Sequence, residues 1–393
     1  MVYNFDEILN RRGTDSVKWD GMKENFGRED LISMWVADMD FRTPPCIMRA
    51  IQERIEGGVL GYTLPSDKWY SSIIHWVDSQ HQWSIKPEEI IHMPGIVRGL
   101  AFALQCFTEE HDRVLVMPPV YHPFFLVTEK NHREVVYSPL HLSEDEEITI
   151  DFTQFEHDIK GCKVLILCNP HNPGGRVWTR EELTRMAELC EKHQVLVFSD
   201  EIHCDLTLPP YKHIPFATVN EWTRNHTLTF MAPSKSFNMP GISSSFCIVQ
   251  NATLCERFHI FMEASELEMG NVFSYTATAA AFSEGAEWLY QLKAYLQENI
   301  DFTAQFLEEH LPQLRMIRPQ ASYLIYLDCR KLQLPQDELV HLFIDDARLA
   351  LNDGTMFGKE GKGFMRLNVG CPRAVLSQAL EQLKVAIYKK FNI

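Results

Sequence analysis

The chain has 393 residues, 45% of them hydrophobic, with 37 basic against 53 acidic side chains and a net charge of −16. That length supports a full core and favours two or three domains over one, while the acidic balance repels a phosphate backbone and argues against nucleic acid as a partner. The ten cysteines stand singly, without a C-x-x-C pair and many of them inside apolar runs, as expected of buried thiols in a reducing cytosol.

Residues 1–12 open polar and acidic, without the basic-then-apolar order of a leader, and no apolar run approaches membrane-spanning length. A cytoplasmic protein is the expectation. The first forty residues carry little helical periodicity; 31–36 is a strand candidate, and the segment is expected to wrap onto a smaller domain rather than fold alone. Between 85 and 250, short apolar runs at 113–117, 134–137, 163–168, 195–198, 227–230 and 246–249 alternate with helical patterns. This rhythm predicts a mainly parallel, doubly wound sheet with both faces covered. Thr179 and Glu182 have capping-box spacing, and Leu183, Met186, Ala187 and Cys190 then form one apolar stripe, which predicts a helix between two of those strands. After 270, helical stretches at 275–310, 336–350 and 373–391 flank strand candidates at 322–327 and 364–369. The expected fold is α/β: a large doubly wound domain over 46–285 and a small α+β domain over 286–393, with an arm, 1–45, that adds to the small domain, so that both chain ends build it.

Polar blocks follow three of the apolar runs: 169–174 (NPHNPG), 199–203 (SDEIH) and 233–238 (PSKSFN). An acid, a lysine and an amide would converge on one rim of a sheet, as a pyridoxal 5'-phosphate site requires. An imine-forming lysine must be held at a strand-to-loop boundary with its amine facing a cavity, and Lys235 follows 227–230 after a short segment. Alone it would read as a solvated surface lysine; its neighbours change that. Ser234 offers a hydroxyl to a phosphate, and Asp200 stands at the carboxyl end of a strand, where open α/β sheets place their ligands. A buried carboxylate there would keep a pyridine nitrogen protonated, the state in which the ring accepts electrons. Asn172 could donate to the ring's phenolic oxygen, although its block is equally a tight loop. Residues 93–99 (MPGIVRG) open a helical pattern whose first N–H groups suit a phosphate, and Tyr121 is placed either to stack on a flat ring or to serve as a core tyrosine.

Together these blocks resemble pyridoxal-phosphate enzymes of the aspartate aminotransferase fold and, within them, the MalY/PatB-type cystathionine β-lyases (C–S lyases). The likeness runs almost end to end: 18–20 (KWD), 34–41 (MWVADMDF) with Pro44 and Pro45, Gly61 and Tyr62, 119–124 (PVYHPF), 168–174 (CNPHNPG), 199–205 (SDEIHCD), 234–238 (SKSFN) and 366–373 (RLNVGCPR). The resemblance implies a seven-stranded large domain, an imine formed by Lys235, Asp200 on the pyridine nitrogen, Tyr121 on the ring face and Asn172 on the phenolic oxygen. It implies His203 among the cofactor contacts, Ile96, Val97 and Ser234 on the phosphate, and Tyr62 reaching that phosphate across a homodimer. Arg366, helped by the backbone at Ala37, is implied as the grip on a substrate α-carboxylate. Two departures from the commoner aminotransferase pattern match the lyases. His203 stands three residues after Asp200, where aminotransferases generally have tyrosine, and 235–246 contains no arginine. The implied reaction is β-elimination from a small sulfur-bearing L-amino acid, giving thiol, pyruvate and ammonia, with no metal.

An aminotransferase on the same fold stays open, as does a cofactor-binding protein with a regulatory or interaction role. Residues 200–203 also spell a DExH box, but no G-x-x-x-x-G-K-[ST] loop accompanies it. A metal triad of Asp200, His203 and Asp205 is a weaker reading. His75, His92 and His122 lack ligand spacing and read as surface or satisfied core residues. Tyr323 and Trp35 are expected walls of a side-chain pocket.

Overall fold

The computed structural model describes residues 2–143 and 147–392, so the outer limits of the expected arm and small domain, 1 and 393, lie just outside the described residues. Seven strands make the main sheet: β1 (Ile90–Met93), β2 (Arg113–Val116), β3 (Glu134–Tyr137), β4 (Cys162–Cys168), β5 (Leu196–Asp200), β6 (Thr227–Met231) and β7 (Ser245–Ile248). Their spatial order is β1-β7-β6-β5-β4-β2-β3. β7 is antiparallel to β1 and β6, and the other pairings are parallel. The apolar runs of β4, β5 and β6 are almost wholly buried, as a sheet covered on both faces demands. The strand order reverses between β4 and β2, and such a switch point opens a crevice at the carboxyl ends of the strands. β1 was not among the expected strands. His92 interrupts its apolar run after two isoleucines, so the sequence shows no strand pattern there.

Helix α1 (Asp67–His81) precedes β1, and α2 (Ile96–Phe107) follows it. Between β4 and β5, α3 (Arg180–His193) begins at the expected capping box: Thr179 Oγ1 accepts from Glu182 N at 3.2 Å, and Glu182 Oε2 accepts from Thr179 N at 2.7 Å. The stretch expected as one helix over 275–310 is two, α4 (Val272–Glu284) and α5 (Ala286–His310). They part at Gly285, where a Cβ would lie 2.5 Å from both the Ala281 carbonyl oxygen and a Phe237 ring carbon.

The second sheet is antiparallel, in the order β8-β9-β11-β10, where β8 is Arg315–Ile317, β9 Leu324–Asp328, β10 Asn352–Asp353 and β11 Phe364–Asn368. β9 starts later than expected because Ser322 has φ 75°, in the left-handed region. The stretch expected as helix over 336–350 is helical only to His341, passes through a π turn at Leu342–Asp346 and is extended at Leu349–Ala350. A left-handed Arg348, φ 59°, makes the change of direction. Leu349–Ala350 pairs in parallel with Ile32–Ser33, which is all that forms of the strand expected at 31–36, so both chain ends do join this smaller body. The last helix, α6, spans Arg373–Phe391 as expected. Among the described residues no helix is long and apolar enough to cross a membrane, and all ten cysteines are free and buried.

Candidate active site

The segments that follow β2, β4, β5 and β6 line a cavity of about 410 Å³ that holds Tyr121, Asn172, Asp200, His203, Ser234 and Lys235, closed on other sides by Ala37 and the start of α2. At that start, Gly95 has φ 132°, a conformation only glycine adopts freely, and it donates its N–H to Ser245 Oγ at 3.0 Å. β1 and β7 pair Met93 with Ser245, which is why the two meet. The N–H groups of Ile96 and Val97 at this helix end and the Ser234 hydroxyl, which makes no hydrogen bond among the described residues, line one corner of the cavity, a donor set whose chemistry suits an anion.

Lys235 lies in the turn after β6, and its Nζ donates to the Ala37 carbonyl at 2.5 Å. Burial lowers its pKa to about 8; Asp38 and Asp200 oppose that shift and Arg366 adds to it. Asp200 ends β5, buried, and accepts the Ile202 N–H at 3.1 Å. Burial raises its pKa to about 7. A cation against it would be strongly favoured, since pairing would relieve that penalty. His203 is buried in the same wall with Nδ1 unpartnered, and burial, Lys235 and Arg366 push its pKa down to about 3, so the ring is neutral. Tyr121 meets Phe124 edge-on at 5.8 Å, and burial, with Asp200 beside it, raises its phenol pKa.

Arg366 sits within β11, and burial lowers its pKa to about 10. Its Nη1 donates to Asn172 Oδ1 at 3.1 Å, and Nη2 to Trp35 O at 2.9 Å and Asn352 Oδ1 at 2.6 Å. Nε is buried without a partner, and the guanidinium lies 4.9 Å from the centre of the Phe357 ring. Asn172 uses its oxygen on Arg366 and keeps its Nδ2 free of hydrogen bonds among the described residues.

Other expectations fare unevenly. The ring of Tyr323 is fully buried and its hydroxyl donates to Ala37 O at 2.9 Å. Trp35 is no wall of the cavity: its ring packs edge-on against Phe26 at 5.2 Å and its Nε1 donates to Lys18 O, so that only its carbonyl reaches the site. The triad of Asp200, His203 and Asp205 is parted, because the Asp205 carboxylate is taken by Trp76 Nε1 at 3.0 Å, His81 Nε2 at 3.0 Å and Ser236 Oγ at 3.3 Å. His75 is exposed as expected, whereas His92 and His122 each keep a buried Nδ1 without a partner and are not satisfied core residues. Tyr62 is fully exposed and lies outside this chain's cavity.

Two asparagines escaped the sequence reading. Asn238 accepts from Met39 N at 2.9 Å and donates to Met39 O at 2.9 Å and Phe41 O at 2.7 Å. Asn368 donates to Val36 O and Asp38 O, both at 2.7 Å. Both lie inside blocks that carry the family likeness, 234–238 and 366–373, and that position was the only signal of their importance.

The family model for aminotransferases of class I and II matches residues 29–383. Cystathionine beta-lyase PatB of Bacillus subtilis is 42% identical over 98% of this chain and 100% of its own length. Protein MalY of Escherichia coli is 33% identical over 98% of this chain and 99% of its own. Among solved structures, cystalysin from Treponema denticola, which contains a pyridoxal 5'-phosphate cofactor, superimposes with a TM-score of 0.96 at 31% identity, covering 99% of this chain and 100% of that one.

Proposed function

The chain belongs to the class I and II aminotransferase family, and we propose that within it this protein is a pyridoxal 5'-phosphate-dependent carbon–sulfur β-lyase, acting on L-cystathionine, L-cysteine or a related S-substituted amino acid. The donor set of the cavity suits that cofactor: an amine, a buried carboxylate, a helix N-terminus beside a hydroxyl, and the unpaired Nδ1 of His203. When bound, the cofactor supplies an electron-accepting ring that stabilises negative charge at the substrate Cα.

In this reading Ile96, Val97 and Ser234 hold the phosphate, Asp200 the ring nitrogen, Tyr121 the ring face, and Asn172 Nδ2 with His203 the phenolic oxygen. Arg366, whose Nε is unpaired, grips the substrate α-carboxylate, aided by the backbone at Ala37. Lys235 serves as general base at Cα, and its lowered pKa leaves a useful neutral fraction near neutrality. Thiolate leaves from Cβ and takes up a proton, and the remaining three-carbon fragment, once released, is hydrolysed by one water to pyruvate and ammonia.

Elimination is chosen over amino transfer on one observation, the end-to-end likeness to the PatB lyase. His203 three residues after Asp200, and the lack of arginine over 235–246, agree with it. The working division keeps an arm over 1–45, a large cofactor domain over 46–285 and a small domain over 286–393. A homodimer in which Tyr62 serves the neighbouring site, and a cytoplasmic location, belong to the same proposal. The test is incubation of purified holoprotein with L-cystathionine and no keto acid. Equal release of pyruvate and homocysteine is expected. Amino transfer from alanine to an added keto acid without pyruvate release from cystathionine would replace the lyase by an aminotransferase, and neither activity would favour a regulatory role.

A further inference from the structure

Residues 35–39 have no ladder partner, yet side chains reach every carbonyl of the run. Trp35 O accepts from Arg366 Nη2, Val36 O and Asp38 O from Asn368 Nδ2, Asp38 O also from Lys18 Nζ, and Met39 O from Asn238 Nδ2 and Arg11 Nη1. The middle carbonyl, Ala37 O, accepts from Lys235 Nζ at 2.5 Å and from Tyr323 Oη at 2.9 Å. Donors from the arm, from the turn after β6 and from the small domain thus converge on five peptide units whose centre is a single oxygen. A loop pinned so densely does not wander, and its central oxygen is a fixed point in the wall of the cavity.

We propose that Tyr323 is a positioning residue for the base of the reaction: by holding and half-saturating the Ala37 carbonyl, it keeps the displaced Lys235 amine on that oxygen as a neutral group with its lone pair free for the substrate Cα proton. This rests on the reading of Lys235 as that base. A carbonyl oxygen has two lone pairs and an ammonium three N–H donors. Ala37 O is the one hydrogen-bond acceptor of Lys235 Nζ among the described residues, and the Tyr323 hydroxyl occupies its second lone pair. An ammonium there would leave two donors facing buried space and carry its charge with them, whereas a neutral amine leaves only one and keeps its lone pair. The charged groups around Nζ are Asp38 from the arm, Asp200 from β5 and Arg366 from β11; His203, in the same wall, is neutral. The two carboxylates pull toward the ammonium, so the burial of Nζ and the shortage of acceptors must be maintained against them. Removing the Tyr323 hydroxyl makes that oxygen a stronger acceptor and loosens the peptide that carries it, and both effects favour the ammonium.

Two measurements on Tyr323→Phe test this. In the apoprotein, trace acetylation read at Lys235 by peptide mass spectrometry across pH 6–10 gives the midpoint of the amine. For the wild type it is expected at about 8. For the variant it should rise enough to slow labelling at pH 7 about three-fold, equivalent to half a pH unit. In the holoprotein, loss of the Cα hydrogen of L-alanine in heavy water, followed by proton magnetic resonance, should slow about ten-fold at pH 7 with an unchanged dependence on alanine concentration. Alanine has no leaving group, so this exchange reports on Lys235 whatever the fate of sulfur substrates. Wild-type protein that fails to exchange alanine would remove the underlying reading of Lys235. Wild-type exchange matched by a folded Tyr323→Phe protein with an unmoved midpoint would overturn the positioning role alone. Should Tyr323→Phe not fold, Asn368→Ser, which removes one donor each from the carbonyls of Val36 and Asp38 and so loosens the peptides flanking Ala37, is expected to raise the same midpoint, and an unmoved midpoint there would equally overturn it.

Discussion

Asp200, at the end of β5, accepts one backbone N–H and has Lys235 nearby, yet burial outweighs both and raises its pKa to about 7. Below about pH 4 the group is protonated in both the folded and the unfolded chain; between about 4 and 7 the unfolded chain releases its proton first. The apoprotein therefore loses stability as pH rises through that window, by up to about 4 kcal/mol. Asp200→Asn removes the window. Urea unfolding of the two apoproteins should give curves that converge toward pH 4 and separate toward pH 8, the variant being the more stable, and a constant gap across that range would refute the burial argument. The same substitution should lower kcat of the holoprotein by about 10²–10³-fold, since a neutral amide cannot hold a ring nitrogen cationic. Arg366→Ala, by contrast, is expected to weaken substrate capture by about 2–5 kcal/mol, read as a raised KM with cofactor absorbance retained. Both residues were legible in the sequence, Asp200 from its place after an apolar run and Arg366 through the family pattern. Asn238 and Asn368 were not, and Tyr323 was read only as a pocket wall, because each works by bonding the backbone of 36–41 across 197 to 332 positions of sequence, and nothing local to an asparagine or tyrosine announces such a partner.

Elements were legible where one local signal settled them. The capping box of α3 and the apolar runs of β4, β5 and β6 are such signals, and each of these elements forms where it was expected. Boundaries set by packing from elsewhere were not legible. Gly285 interrupts a continuous helical pattern because the Phe237 ring occupies the space a side chain would need, and Phe237 stands two residues beyond Lys235. Likewise, helix gives way to strand after Asp346 because Leu349–Ala350 must meet Ile32–Ser33, a pairing invisible to local periodicity. Gly285→Ala should thus cost about 1–3 kcal/mol through overpacking, seen as a lower Tm. Because the displaced ring belongs to the lysine turn, cofactor affinity measured by reconstitution of the apoprotein should fall as well. A lower Tm with unchanged cofactor affinity would show that the helix break serves stability alone.

At the scale of the whole molecule two features of one chain complement each other. A groove of about 1030 Å³, lined by apolar side chains of the arm and of the segment after Lys235, reaches Ala37 and Lys235 themselves. Elsewhere Val59, Leu60, Tyr62 and Leu64 stand exposed on an extended stretch just ahead of α1. Water is a poor neighbour for both surfaces, and a two-fold pair of chains could cover them together, each stretch passing to the other chain's groove. In such a pair Tyr62 and Lys235 of one chain serve different sites. Tyr62→Ala and Lys235→Ala homodimers would each lack a residue at both sites, but a mixed dimer restores one complete site, built from the intact lysine of the first chain and the intact tyrosine of the second. Co-expression of the two variants in equal amounts should yield half mixed dimers, hence about a quarter of wild-type sites, against the far lower activity of either variant alone. Activity no greater than the mean of the two separate variants, in material that sediments as a dimer, would place Tyr62 outside the neighbouring site.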